Sequence, residues 1–416
     1  MLTRKAPNEH KTVTPTSENR EKTDWLAITV LFLAGLAAAM HFAKVAPVMG
    51  EVGSDLGLTL VAAGFAVSLL GIVGVVFAIA MGALVASIGL GRGILIALFG
   101  GALVAAAGAV APDSTTFLAS RFLEGFSHLL IVVCAPALMA MHAAPRDRPV
   151  VLSLWGCFFG VGFAMTSAAA PLIMTWGGWR GLMLAHALLL ALIGLALRMA
   201  LKRSGHADER RPRPTLASLI SAHGDVYRSG PPLLLALTFC CYTVLFLAAL
   251  TFLGKYLADA LGWSAGAAGS GMAVASLISM VFTLMAGFLI RYGLPVFLGF
   301  TGAFLSLAVS AAILFTLGPS EGVAMFLIAV MMAAFGLLPG FTFASVPAIA
   351  PTPALAALTY GAIAQFGNVG TFVGTPIFAA LYGRMGWTGG ALFCLFVCLA
   401  GIACAALLRA AMKART

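Results

Sequence analysis

Residues 322–383 read GVAMFLIAVMMAAFGLLPGFTFASVPAIAPTPALAALTYGAIAQFGNVGTFVGTPIFAALYG, a run of 62 residues without Asp, Glu, Lys or Arg. As one helix this run would be about 93 Å long, whereas a hydrocarbon core about 30 Å thick is crossed by roughly 20 residues. Pro347, Pro351 and Pro353 lie near its middle, and proline removes a backbone donor and disfavours helix in the residue before it. The run therefore predicts two membrane spans that are separated at these prolines.

The composition of the whole chain extends this interpretation. Of 416 residues, 61% are hydrophobic and 9% are charged, whereas soluble domains carry about 25% charged residues. A disordered chain, a secreted disulfide scaffold and a soluble enzyme are excluded on these numbers. Because barrel strands alternate polar with apolar residues, the long apolar runs indicate an all-α membrane protein.

Charged residues delimit twelve apolar spans. The first nine lie between Asp24 and Lys44, Asp55 and Arg92, Arg92 and Asp113, Asp113 and about residue 141, Arg148 and Arg180, Arg180 and Arg198, Arg228 and Lys255, Asp259 and Arg291, and Arg291 and Glu321. Spans ten and eleven share the run quoted above, and span twelve lies between Arg384 and Arg409. Span four is exceptional because it contains two charged residues.

The distribution of Lys and Arg predicts the orientation. With a cytoplasmic N-terminus, 19 of the 24 basic residues fall in cytoplasmic segments, as the positive-inside rule requires. We therefore expect a multi-pass protein of the cell (inner or plasma) membrane with both termini cytoplasmic. The net charge of +10 follows from this topology and from anionic lipid, so no nucleic-acid partner is predicted.

Polar segments divide the chain into domains. Residues 1–24 are polar and mixed in charge, which indicates a flexible cytoplasmic tail and no signal peptide. Residues 201–231 form an Arg-rich cytoplasmic linker between an N-terminal six-helix bundle at 25–200 and a C-terminal six-helix bundle at 232–411, and residues 412–416 form a second tail.

The two halves contain an internal repeat. Three landmarks recur, namely Gly82 and Leu84 as Gly287 and Leu289, Trp155-Gly156 with Pro171 as Tyr360-Gly361 with Pro376, and Trp179 as Trp387. The first two pairs are 205 residues apart and the third 208, so small changes in loop length intervene. Two parallel six-helix repeats joined by a cytoplasmic loop are typical of transporters that work by alternating access.

On these features the sequence resembles the major facilitator superfamily over residues 25–411. The loop between spans two and three in that superfamily usually reads Gly-x-Leu-x-Asp-Arg-x-Gly-Arg. The matching residues are Gly82, Leu84, Gly89 and a displaced Arg92. Ala86 and Ser87 replace the Asp and Arg, so the charged gating latch attributed to this loop lacks two of its residues. The resemblance implies twelve transmembrane helices in two pseudo-symmetric bundles around a central cavity.

Two further motifs support the resemblance. Arg121 and Gly125 match the Arg-x-x-x-Gly pattern of span four, and Gly156-x-x-x-Gly160 matches the start of the antiporter signature on span five, although Val161 replaces its proline. The sequences His41-x-x-Lys44 and Arg-Phe-Leu-Glu-Gly from Arg121 resemble the cyanate and nitroimidazole permease group most.

Ionisable residues on spans one and four form the candidate site. Arg121, Glu124 and His128 lie on one stripe of span four, and His41 and Lys44 lie in the outer half of span one. Both spans line the central cavity in the superfamily, so we expect the five side chains to meet at one depth. One acid against two fixed cations favours an anionic substrate, with Arg121 as its anchor and His41 and Lys44 as further ligands.

Proton coupling is assigned to Glu124 and His128. Burial in a membrane favours the protonated carboxyl, and imidazole titrates near neutrality. The alternatives are that Arg121 and Glu124 only neutralise each other, that Lys44 extends to the outer headgroups, and that His128 is a satisfied polar residue.

The second half offers no charged counterpart, since Phe326 occupies the repeat position of Arg121. We expect Tyr242, Gln365 and Asn368 to contact substrate there, although an interhelical hydrogen bond explains the last two equally well. The GxxxG pairs, Gly156 with Gly160 and Gly370 with Gly374, are expected to let spans five and eleven approach the opposite half closely.

Two motifs resemble enzyme or metal sites but carry no such prediction. Residues 262–266 match the nucleophile-elbow pattern, yet no strand or His and Asp partners accompany them. Cys394 and Cys398 are one helical turn apart in an apolar span, where thiols behave as small hydrophobes. Neither enzyme activity, a metal nor another cofactor is predicted.

The sequence therefore favours a secondary transporter, expected as a monomer, whose partners are a small anionic substrate, protons and the lipid bilayer. Proton-coupled uptake of a small organic or inorganic anion is the first hypothesis. Proton-antiport efflux of drugs or metabolites is the alternative, against which the missing proline of span five counts.

Overall fold

The computed structural model describes residues 22–58, 60–205 and 230–414, together with isolated positions between 215 and 228. These residues form helices and no strand. Residues 1–21 of the expected N-terminal tail, and most of the expected linker, lie outside the described residues. Span six ends at Arg203 and span seven begins at Gly230.

Twelve crossings are built from thirteen helices in the described part of the chain. The helices are Trp25–Ala43 (span one), Val45–Leu56, Leu60–Ile88 (span two), Leu90–Ala109 (span three), Ser114–His142 (span four), Arg148–Gly156 with Phe158–Arg203 (spans five and six), Gly230–Asp259 (span seven), Ala265–Arg291 (span eight), Val296–Leu317 (span nine), Glu321–Ile349 (span ten), Pro353–Met385 (span eleven) and Trp387–Lys413 (span twelve).

Length and composition qualify most of these helices as membrane spans. Ten are long and apolar enough to cross a membrane, or up to eleven if the bent pair in span five counts as one span. Spans five and six share a 46-residue helix that changes direction at Gly178, where the backbone is not helical. Spans ten and eleven are separated between Ile349 and Pro353, as the prolines predict. The twelve-helix, all-α prediction is confirmed.

The backbone repeats its turns as well as its helices. Glycines with positive φ end or begin spans at equivalent places in the two halves, since a residue without Cβ adopts this conformation without strain. The pairs are Gly57 (φ 63°) with Gly262 (69°), Gly89 (97°) with Gly293 (93°), and Gly178 (58°) with Gly386 (60°). The sequence repeat is therefore also a structural one.

The helix Val45–Leu56 extends span one and was not predicted. Its carboxylates hold the turn between spans five and six: Glu51 accepts a hydrogen bond from the Trp179 backbone N–H (2.8 Å), and Asp55 accepts one from the Trp179 indole (2.9 Å). Arg180 pairs with Asp55 at 2.6 Å. The indole hydrogen bond and the guanidinium together hold the pKa of Asp55 below its usual range.

The two bundles are in contact at the face of the protein where Thr23 bonds to Asp147, which we call the closed end. Gly287 lies against the backbone of Pro149 and Val150, and Gly361 lies against the backbone of Ala78. An ion pair between Asp147 and Arg291 (3.4 Å) joins the bundles at the same end. The repeat landmarks found in the sequence are thus contact points between the bundles.

Toward the opposite face the bundles separate. A Cβ on Gly156 would lie 2.7 Å from Thr283 of span eight, whereas a Cβ on Gly160 would have no neighbour within 4 Å. On span eleven, the ring of Phe372 is 66% exposed. A cleft therefore opens between the bundles on the side of Gly156 that faces away from the closed end.

The GxxxG expectation holds for one glycine and is wrong for three. Gly156 touches the opposite bundle, but Gly160 faces open space. Gly370 and Gly374 lie against Cys240, Thr243 and Val244 of span seven, in their own bundle. Here the close approach joins two neighbouring helices of one half, because spans seven and eleven are adjacent within the C-terminal bundle.

Candidate functional site

Glu124 is the centre of a buried polar cluster inside the N-terminal bundle. Its carboxylate accepts hydrogen bonds from Lys44 Nζ (2.8 Å) and His41 Nδ1 (3.1 Å), and it pairs with the Arg121 guanidinium. The side chains of all four residues are at most 1% exposed. Three donors on one carboxylate make this a preorganised ionic site inside a membrane protein.

Helix geometry explains why these residues meet. Arg121 and Glu124 are three residues apart on span four, so they share one face of that helix. His41 lies in the last turn of span one, and Lys44 lies at the joint between span one and the helix Val45–Leu56. Because span one packs against span four, the joint directs Lys44 toward Glu124. Lys44 does not reach the lipid headgroups.

Arg121 is held by backbone as well as by charge. Its Nε donates to the carbonyl of Ala66 in span two (3.2 Å), and a terminal guanidinium nitrogen donates to the carbonyl of His41. These contacts fix the guanidinium between spans one, two and four. With neutral imidazoles, the cluster contains two cations and one carboxylate, so one positive charge is unbalanced.

His186 of span six belongs to the cluster and was missed by the sequence analysis. Its Nδ1 lies 2.9 Å from Lys44 Nζ, and its Nε2 lies 2.9 Å from the carbonyl of Ala37. Since an ammonium group only donates, Nδ1 accepts and Nε2 carries the proton. The sequence contained a signal for His186, because burying a histidine in an otherwise apolar span costs free energy and therefore indicates a functional or structural role.

His41 and His128 complete the cluster through contacts that lead to span three and to span one, respectively. His41 Nε2 lies 3.2 Å from the hydroxyl of Ser127, which itself donates to the carbonyl of Ala97 (2.8 Å). His128 Nδ1 donates to the carbonyl of Ala38 (2.8 Å) and makes no other hydrogen bond among the described residues. Nε2 of His128 therefore remains available to a proton or a ligand.

The predicted residues of the second half lie apart from this cluster. Gln365 Nε2 donates to the carbonyl of Val75 in span two (2.6 Å), and the Tyr227 hydroxyl donates to Gln365 Oε1 (3.0 Å). Asn368 donates to Ala364 of its own helix (2.7 Å) and lies against Gly74 of span two. Both amides thus lie at the contact between the bundles.

Tyr242 lies among aromatic rings of spans seven and ten. Its ring stacks on Phe246 at 5.3 Å, and Phe335 packs beside both rings. Phe335 and Phe341 are buried as packing residues, and Phe326 is on the outer surface with 67% of its side chain exposed. Among the residues with described positions, no group of three or more His, Cys, Asp or Glu could hold a metal ion.

A twelve-span helical protein with two repeated bundles, a cleft between them and a buried ionic cluster has the architecture of a secondary transporter. Residues 30–375 match the family model described as Major Facilitator Superfamily, and the chain belongs to that superfamily. No curated protein matches the sequence significantly.

Solved structures of three transporters share the fold. The proton:xylose symporter XylE superposes with a TM-score of 0.69 at 15% identity, covering 92% of this chain and 94% of its own. The human organic anion transporter MFSD10 gives 0.67 at 19% identity, covering 92% and 99%. The fucose:proton symporter FucP of E. coli gives 0.71 at 16% identity, covering 94% and 98%.

Proposed function

We propose that this protein takes up a small organic or inorganic anion together with protons across the cell membrane. The observation that carries the proposal is the charge imbalance of the buried cluster, where Lys44 and Arg121 pair with one carboxylate, that of Glu124, among the described side chains. A buried excess cation is unfavourable unless a counter-charge is supplied, so an anion that enters the cleft is attracted toward this bundle. The likeness of spans one and four to the cyanate and nitroimidazole permeases supports a small substrate.

In this proposal the closed end faces the cytoplasm, because most basic residues lie in segments on that side. The cleft then opens to the outside, where an uptake system loads its substrate. Residues 25–200 and 232–411 move as two bodies of a monomer, joined by the cytoplasmic linker 201–231. Tyr242, Gln365 and Asn368 either bind the substrate or stabilise the contact between the bundles.

His128 is the better of the two predicted proton carriers. Protonation of Glu124 would leave Lys44 and Arg121 as two buried cations without a counter-charge, which is strongly unfavourable. Among the described residues, His128 has one ring nitrogen without a hydrogen bond, and it borders the ring of Phe42 at 4.9 Å. It can therefore bind a proton and, as imidazolium, donate to the anion. Transport of one proton with one monovalent anion moves no net charge, so the pH gradient drives it: one pH unit is worth about 1.4 kcal/mol, enough for about tenfold accumulation.

We expect His128→Gln to abolish concentrative uptake while exchange of substrate continues, because the variant lacks the proton site but keeps the cationic cluster. The measurement uses purified protein in liposomes, an imposed inward proton gradient and a panel of labelled anions. His142→Gln is the control on the same helix, since His142 lies near the closed end and bonds to the carbonyl of Leu138 and to Ser204; it should accumulate anion as the parent does.

Two results would contradict the proposal. Undiminished accumulation by His128→Gln would remove His128 as the proton carrier. Gradient-stimulated exit of a cationic dye, with no anion flux under any condition, would reject uptake in favour of proton-antiport efflux.

A further inference from the structure

The floor of the cleft lies just beyond the contact between the bundles. Gly156 touches span eight and the backbone of span ten, while Gly160, one turn further along span five, has no neighbour within 4 Å of a Cβ position. The face of span five that contacts the other bundle at Gly156 is therefore open to the cleft at Gly160, four residues later. Side chains on this face beyond Gly156 are available to a substrate.

Phenylalanine rings form the wall on the N-terminal bundle. Phe159 is 38% exposed although it lies in the middle of the fold. Its ring centroid is 4.7 Å from that of Phe163 and 5.9 Å from that of Phe42 on span one. Phe42 in turn meets the edge of His128. A continuous aromatic surface therefore leads from the cleft to the imidazole at the margin of the ionic cluster.

Rings of span seven form an aromatic stripe on the C-terminal bundle. Phe239, Tyr242 and Phe246 lie on one stripe of the helix, and neighbouring centroids are 5.3 Å apart in both pairs. Phe239 and Phe246 on this stripe are both partly exposed.

Aromatic rings make up both the Phe42–Phe159 wall and the span-seven stripe. In the described part of the chain, the cation contacts to rings involve Trp179, Tyr382 and Phe297, none of which belongs to these two surfaces. Ring faces attract other rings and also cations. The excess positive charge behind Phe42 and His128 opposes a cation, so a neutral ring that carries a negative group matches both features.

We propose that the substrate is a planar aromatic anion. Its ring binds between Phe42 and Phe159 on the wall and Tyr242 and Phe246 on the span-seven stripe, and its negative group points toward His128 and the cluster behind it. This assignment of substrate class rests on the proposed function of anion uptake.

The test compares three permanently ionised probes in proteoliposomes with an inward proton gradient: benzenesulfonate, cyclohexanesulfonate and methanesulfonate. Sulfonates do not cross the bilayer as neutral acids, so passive distribution of a weak acid is avoided. We expect uptake of benzenesulfonate to exceed that of the saturated ring by about tenfold, since ring contacts add to simple burial. Phe159→Leu should reduce this preference at least threefold, and Phe326→Leu on the outer surface should preserve it.

The outcomes separate the two proposals. Equal uptake of benzenesulfonate, cyclohexanesulfonate and methanesulfonate would overturn the aromatic assignment and leave anion uptake standing. If none of the three sulfonates, and no anion of the wider panel, follows the gradient, the proposed function itself is rejected. An unchanged ring preference in Phe159→Leu and in Phe42→Leu would also overturn the assignment, because it would place the selective contact elsewhere.

Discussion

Glu124→Gln is expected to destabilise the folded protein and not only to reduce its activity. The substitution removes the carboxylate that Lys44 and Arg121 share, and both cations, at most 1% exposed, then have no counter-charge among the described side chains. Removing one partner of a buried ion pair costs about 3–5 kcal/mol. The measurement is the thermal unfolding midpoint of the purified protein, together with its yield as a monodisperse species.

Lys44→Met supplies the matched comparison. It leaves Arg121 and Glu124 as a balanced pair, so its stability should remain close to that of the parent, and the double variant with Glu124→Gln should recover part of the loss. Glu321→Gln is the surface control, since Glu321 is exposed and bonds to the Trp263 indole. If Glu124→Gln is as stable as Glu321→Gln, the cluster is not the ionic core described above.

Gly287→Ala is expected to prevent the bundles from coming together at the closed end. The new Cβ would lie 2.6 Å from the carbonyl oxygen of Pro149 and 2.7 Å from the Cα of Val150, and backbone atoms cannot move aside as a flexible side chain can. The state open at the opposite face therefore becomes unfavourable. We expect the initial rate of uptake to fall at least tenfold, a change of about 1.4 kcal/mol.

Gly302→Ala is the control for this substitution, because it also adds a methyl group to a glycine of a membrane helix but lies on the exposed surface of span nine and meets no atom within 4 Å. Maleimide labelling of Ala144→Cys, a buried position at the closed end, reports the opening directly. Labelling should accelerate in the Gly287→Ala background and not in Gly302→Ala. Equal transport and equal labelling in the two backgrounds would show that the closed end is not a contact that moves.

Much of the fold could be predicted because the membrane imposes a length on every helix. The interval between charges located the spans, and the break at Pro351 and Pro353 divided the run of 62 uncharged residues correctly. The repeat was visible because equivalent turns need glycine, as at Gly57 and Gly262. The pairing of Arg121 with Glu124 followed from their spacing on one helix.

The rest depended on contacts between residues that are distant in sequence. His186 lies 142 residues from Lys44, and no local pattern connects them. Gly370 and Gly374 have the spacing of a close helix contact, but spacing does not say which helix is the neighbour. Likewise, the chemistry of Gln365 does not show that its partner is the carbonyl of Val75, 290 residues away.

The sequence by itself determined that the protein lies in a membrane, how many spans it has, that its two halves repeat and which ionisable residues enter the membrane. It could do so because hydrophobic length and charge are local properties of the chain. Only the tertiary structure decided that Glu124 is shared by three donors, that His128 Nδ1 bonds to the carbonyl of Ala38, and that the bundles meet at Gly156 and part before Gly160. These features depend on how helices from different parts of the chain pack, and packing selects among partners that the sequence leaves equally possible.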